Sequence, residues 1–349
     1  MLLPLSLPLP ALVAPAPHHT RAEPTLVLPS LQLTTRRFTG ARAWSWVPRA
    51  AFVIAGPLEG GSQLVMNVSK PDGTAWFSSP METPELAAGA WGTVTLPELG
   101  EDKAISQSGT CRFQIVLKNA LTGTKKTLFS GTFLVKTIKD RFDKSPGALE
   151  FYVDQDWNLP LGYLGMNLQI DEEAPVLEIR LWLRGTPESL EGLGAYLFYK
   201  GQQLASSKHL GAGGSPDEIY LTHDERLTTP GQNTGDPSWV RLKLTCVKVR
   251  LYRDQSKLSA NNYSSRHFLA TNPGSYELKL LRDGKPIRSA TFTVDEKGLV
   301  VNDGIGARLG TLWYFLPIKI EPGAEPATSL AAYKTGAFYG NPIPGFIAP

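Results

Sequence analysis

Oxygen-bearing side chains fall at alternate positions in Asp154-Gln-Asp156-Trp-Asn158. Asp154, Asp156 and Asn158 are spaced as at the start of a calcium loop, where hard carboxylate and amide oxygens converge on a divalent cation. Leu159 stands where an EF-hand requires Gly, and Gly165 where it requires the bidentate Glu. Asp171-Glu-Glu173 lies near enough in sequence to add oxygens. The competing account is a run of solvated acids, and the expectation is a protein without a cofactor, with Asp154, Asp156 and Asn158 as the calcium candidate. The five histidines do not improve on it. His18 and His19 sit in the leader, while His209, His223 and His267 lie in polar stretches. His209 and His223 with Asp217 or Asp224 lack a diagnostic zinc spacing, so all three read as surface loop residues.

Signatures of catalysis do not assemble. There is no Gly-x-Ser-x-Gly elbow, His-Glu-x-x-His, phosphate loop or Cys-x-x-Cys. Gly304-Ile-Gly306-Ala-Arg-Leu-Gly310 has the wrong last spacing for a dinucleotide fingerprint and reads as a loop. Carboxylate pairs of the glycosidase kind are numerous and none is singled out, so a hydrolase with a dispersed carboxylate or metal site remains one reading. Aromatic platforms for sugars are another: Trp157 and Tyr163 are the ligand-binding candidates, and Trp44 and Trp46 are also free of a core role in the pattern. The two cysteines, Cys111 and Cys246, read as buried thiols in separate cores, the alternative being a disulfide that ties the halves together.

The elements that must position these residues occur twice. Trp91-Gly-Thr-Val-Thr-Leu96 leads to Gly109-Thr-Cys-Arg-Phe-Gln-Ile-Val-Leu117 and then Thr132-Phe-Leu-Val135. Trp239-Val-Arg-Leu-Lys-Leu244 leads to Gly274-Ser-Tyr-Glu-Leu-Lys-Leu280 and then Thr291-Phe-Thr-Val294. Apolar and polar residues alternate in the same order in both, as half-buried strands require. The recurrence places Trp91 and Trp239 in the cores and aligns Cys111 with Tyr276. Leu177–Leu183 is matched to the strand around Leu64. Lys70-Pro-Asp-Gly73 and Arg282-Asp-Gly284 are turns between paired strands. The expected organisation is a leader at 1–22, a first β-sandwich domain at 23–137, a linker at 138–148, and a second sandwich domain at 149–300. Lys208–Asp236 and Arg253–Asn272 read as polar loop insertions in the second.

A chain of 349 residues, 42% hydrophobic, has room for two cores, and 33 Gly with 28 Pro suit many turns better than long helices. A net charge of +3 without a basic run argues against nucleic acid as partner. Residues 1–22 are apolar and Pro-rich, matching the core of an export signal or a disordered leader. The expected location is therefore exported: periplasmic, cell-surface or extracellular. No stretch is long enough for a transmembrane span in the mature chain. At the far end, residues 301–349 read as an edge strand and an extended arm rich in Pro, Gly and aromatics. Trp313, Tyr314, Phe315, Tyr333, Phe338, Tyr339 and Phe346 are its candidates for contact with a protein partner.

The closing segment Gly274–Val294, and more loosely Gly109–Val135, resembles the final hairpin of bacterial immunoglobulin-like or fibronectin-type-III-like modules. There is no Cys…Trp…Cys framework of the antibody type, so the resemblance lies in the architecture. It implies an all-β fold of two tandem immunoglobulin-like β-sandwich domains with an extended C-terminal arm. Such modules serve as spacers, adhesins or envelope subunits. The functional expectation is a non-catalytic, structural or protein–protein interaction subunit, through a protein partner or self-assembly. The alternatives are a cell-surface carbohydrate-binding protein, with a glycan as ligand, and the hydrolase above.

Overall fold

The computed structural model describes residues 24–39, 44–84, 91–140, 145–154, 158–167, 175–185, 191–207, 219–223, 238–251, 266–298, 300–301, 313–322 and 324. Among these residues the chain is all-β, and no helix is long and apolar enough to cross a membrane.

Eight strands surround the first core. β1 (Thr25–Thr39), β2 (Trp44–Ala55) and β5 (Trp91–Thr95) form a sheet in the order β1-β2-β5. β3 (Ser62–Ser69), β4 (Ala75–Pro80), β6 (Gly109–Asn119), β7 (Lys125–Lys139) and β8 (Leu149–Val153) form a second, in the order β4-β3-β6-β7-β8. Alternate side chains from both sheets meet between them: Trp46, Phe52 and Ile54 from one, Met66, Phe113, Ile115 and Phe133 from the other. Each such large apolar side chain taken from water stabilises the fold by about 1.5–3 kcal/mol. Along one side the sheets also touch directly, where the Thr35 hydroxyl on β1 donates to the Phe151 carbonyl on β8.

The second core is built from β9 (Leu161–Asn167), β10 (Val176–Gly185), β11 (Leu193–Tyr199), β12 (Gln202–Ser206), β13 (Ile219–His223), β14 (Ser238–Arg250), β15 (His267–Phe268), β16 (Gly274–Arg282), β17 (Lys285–Val294), β18 (Trp313–Pro317) and β19 (Lys319–Ile320). One sheet runs β13-β14-β10-β9-β18, with β15 pairing β14, and the other runs β12-β11-β16-β17-β19. Leu177, Ile179, Leu181, Leu242 and Leu244 face Leu197, Tyr276, Leu278, Leu280 and Phe292 across this core. Two sheets enclosing one core is compatible with a β-sandwich architecture.

The same connectivity occurs twice. The order β1-β2-β5 over β4-β3-β6-β7 recurs as β9-β10-β14 over β12-β11-β16-β17. Gly109 and Gly274 open the matching strands β6 and β16, both at φ 134°. Three placements differ from the sequence reading. Leu177–Leu183 lies on β10, whose counterpart is β2; the strand around Leu64 corresponds instead to β11. Alternation alone cannot separate these strands, because every inward-facing strand carries the same period. Leu149–Val153, expected at the start of the second domain, is hydrogen-bonded along β7, with Phe151 and Val153 in the first core. Just before it, the Asp140 N–H donates to the Ala148 carbonyl at 3.0 Å. Part of the first polar insertion, Ile219–His223, is strand β13, with Ile219 and Leu221 in the core.

β18 and β19 finish the second core. β18 pairs with β9, β19 pairs with β17, and Ile318 between them is buried. One segment of eight residues thus seals the same side of both sheets. A third, small cluster joins the two halves: Leu159, Trp239 and Ile320, with Tyr152 of β8 and Trp182 of β10 packed against it.

Candidate functional site

The residues singled out in the sequence are dispersed among different environments. Asp154 follows β8 directly; its carboxylate accepts from Lys136 Nζ at 2.5 Å and its N–H donates to the Leu134 carbonyl at 2.8 Å. Asn158 is half-buried in the turn before β9. Asp156 and Trp157 lie outside the described residues. Among the described residues no group of three or more His, Cys, Asp or Glu side chains is placed to hold a metal ion.

Of the aromatic contact candidates, Trp313 pairs through its backbone with Gly165, and its neighbours alternate. Tyr314 is 3% exposed and belongs to the second core, because an edge strand still turns every other side chain inward. Phe315 points the other way and meets Tyr163 edge-on, ring centroids 4.7 Å apart. Tyr333, Phe338, Tyr339 and Phe346 lie outside the described residues. Trp46, taken from the pattern as a free platform, is fully buried, and its Nε1 donates to the Gln107 carbonyl at 3.1 Å. Trp44 is half-buried beneath the Arg37 guanidinium, 4.7 Å from its ring centroid. Cys111 and Cys246 are free thiols, one in each core, and burial pushes both up to about 12.

Three polar clusters were not legible in the sequence. On the outward face of β10 and β14, the Glu178 carboxylate is fully buried between Arg180 Nε at 2.5 Å and Lys243 Nζ at 3.4 Å. Further along this face, the Arg184 guanidinium lies over the Trp239 ring, 5.4 Å from its centroid. Tyr152 approaches the same indole from β8 at 6.0 Å. The second cluster sits where β1 and β7 end and β8 begins. There Arg37 pairs with the buried Asp140, and Glu150 is held above the usual carboxylate range by burial and the nearby Asp140 charge.

The third cluster surrounds the start of β16. The Tyr276 hydroxyl donates its one hydrogen to the Asn272 carbonyl at 2.7 Å, so His267 Nε2, 2.8 Å from the same oxygen, must be the donor to it. Burial, with the Lys248 charge, holds His267 below the usual imidazole range, and burial pushes Tyr276 up. The Tyr199 hydroxyl donates to the Pro273 carbonyl at 3.0 Å, closing the corner. This neutral imidazole between two phenols serves as a positioned hydrogen-bond donor rather than a solvent-facing loop residue.

A further outward-facing surface is the second core's sheet built on β11, β16 and β17. Tyr196 and Phe198 project from β11, with Lys279 opposite Tyr196 and Glu277 opposite Phe198 on β16. Ser289 and Thr291 continue these two rows onto β17. Alternation of β11 signals the outward pair, but only the strand pairing shows which polar residues stand beside it. The sequence matches no protein-family model and no curated protein.

Proposed function

We propose that this chain is a non-catalytic structural or protein-interaction subunit, exported from the cell and built on two tandem immunoglobulin-like β-sandwich domains. The observation that carries the reading is the doubled strand order, three strands over four, in the connectivity of such sandwiches. Tyr276 adds to it. In these folds a tyrosine near the start of the penultimate strand returns its hydroxyl to the backbone just upstream, as Tyr276 does to Asn272. Cys111 holds the matching place in the first copy, two residues after Gly109, and supplies packing there without the hydroxyl tie. The export assignment rests on the apolar leader of residues 1–22.

The contact with a protein partner, or with further copies of the chain, is assigned to the aromatic arm that follows β19. β18 and β19 anchor the start of that arm by four buried side chains, Tyr314, Leu316, Ile318 and Ile320. An anchored root with an aromatic extension is suited to docking, since large rings supply contact area at low entropic cost. Light scattering on the full chain, and on a chain cut before Gly323, is the test. The full chain is expected to assemble and the shortened one, which keeps both strands, to be monomeric. An equal mass for the two would remove the arm from the contact. A cell-surface carbohydrate-binding role is the second reading, with the half-buried Tyr196 and Phe198 on the outward face of β11 as the aromatic groups available to it.

A further inference from the structure

We propose that the two halves tie an equivalent corner with different donors, and that acid opens the corner before β16 while the one before β6 stays shut. This device is separate from the C-terminal contact and does not depend on it.

The two corners correspond residue by residue. Gly109 opens β6 and Gly274 opens β16, both at φ 134°. In each half the neighbouring hairpin turn crowds that glycine: an added Cβ would meet Pro71 Cβ at 3.0 Å in the first and Lys200 Cε at 3.1 Å in the second. Gln107 and Asn272 hold the same place, two residues before the glycine. The backbone carbonyl at that place accepts a side-chain hydrogen bond in both halves. Asn272 takes the Tyr276 hydroxyl at 2.7 Å, and Gln107 takes Trp46 Nε1 at 3.1 Å. Cys111 stands where Tyr276 does and carries no hydroxyl, so the buried indole of β2 supplies the bond instead. Trp46 and Ile105 also exchange backbone bonds of 2.9 and 3.1 Å, which hold the approach to the first corner.

Protons act on the two ties differently. An indole N–H is a donor only and does not titrate. In the second half His267 Nε2 lies 2.8 Å from the tyrosine oxygen, and an imidazole takes up a second proton in mild acid. The groups around the ring give that proton no help. Tyr199 of β11 and Tyr276 of β16 flank it, and Lys248 acts on it from β14. Lys200 Nζ lies 4.9 Å from the Tyr199 ring centroid, and Arg266 Nη1 donates to the Val247 carbonyl at 2.7 Å. The turn at Asp295–Gly298 packs on Ala270 through Gly298, with the Asp295 carboxylate accepting from the Lys297 N–H at 2.9 Å. Among the described residues no carboxylate pairs with His267. An imidazolium is better solvated outside this pocket than in it, so acid favours the state in which the ring has left and its bond to Tyr276 is broken. β15, which carries His267, pairs with β14 over only two residues, and so short a ladder opens at small cost. Opening exposes the stretch from His267 to Asn272, together with the Asn272 and Pro273 carbonyls that the two tyrosines had occupied.

Hydrogen exchange of the full chain at pH 7.5 and pH 5, corrected for the intrinsic effect of pH, tests the device. Protection over residues 266–276 is expected to fall about threefold or more in acid, and protection over 101–111 to hold. His267→Gln, which can donate to Tyr276 but takes up no proton, should keep the second corner protected at both pH values. Trp46→Phe should lower protection over 101–111 at both and leave 266–276 unchanged, with a thermal melt showing that the variant is folded. Equal protection of 266–276 at the two pH values would overturn the proposal. So would an equal fall in both segments, or a fall that persists in His267→Gln. Undiminished protection of 101–111 in folded Trp46→Phe would remove the indole as the first corner's tie.

Discussion

His267 shows how a single residue acquires a property that its type does not announce. In the sequence it sits in a polar stretch and reads as a surface side chain; in the fold it is half-buried, its ring against Tyr199 and Tyr276 at 5.0 and 5.8 Å. Burial, first, and the Lys248 charge disfavour its protonated form. The unfolded chain therefore takes up the proton first. The stability held by the neutral imidazole is fully present above its ordinary value of about 6.5 and is lost as pH falls through the lower folded value. Melting temperature is expected to drop more steeply between pH 7 and pH 5 in the native protein than in His267→Gln, and parallel slopes would contradict this. Trp46 was illegible for a related reason. Its neighbours Trp44 and Ser45 hide the phase of the strand, and only pairing with β1 fixes which face turns inward.

At the scale of elements, pattern carried further than it did for sites. Alternation and turn residues locate most strands: the Asp72 carboxylate accepts from the Thr74 N–H and hydroxyl at 2.8 and 2.7 Å, as Pro-Asp-Gly turns imply. What alternation does not encode is neighbourhood, so the pattern places β8 with the second half and leaves β13 within a polar loop, where strand pairing puts both in sheets. The edge strand β18 illustrates the long-range term. It can lie against β9 because Gly162 leaves room for Ile318: a Cβ there would be 2.5 Å from Ile318 Cδ1 and 3.0 Å from the Leu316 carbonyl oxygen. Gly162→Ala is expected to destabilise the protein by about 1–3 kcal/mol through overpacking. Pairing it with Ile318→Ala, which removes the clashing methyl, should make the double variant less destabilised than the sum of the singles. Additive urea midpoints would mean that the two residues do not share that space.

Across the whole molecule, each core carries one thiol and no disulfide links them. In native protein at pH 8 both are expected to resist a thiol reagent, being buried and pushed up to about 12. Under rising urea, single-thiol variants (Cys111→Ala and Cys246→Ala) should report two separate exposure midpoints. One shared midpoint would mean that the cluster around Trp239 couples the cores into a single unfolding unit. The placement of β18 and β19 after every other described strand also dictates an order of assembly. A ribosome has delivered every strand of the first core once Val153 is out, so that core can close early. The second core must wait for Ile320, and until then the edge of β9 and the apolar faces that Tyr314, Leu316 and Ile318 will cover stand open to other nascent chains. Translation that stalls after β17 would leave a sticky, half-shut product. Among the described strands, the last made is the one that ends the protein's exposure to chaperones.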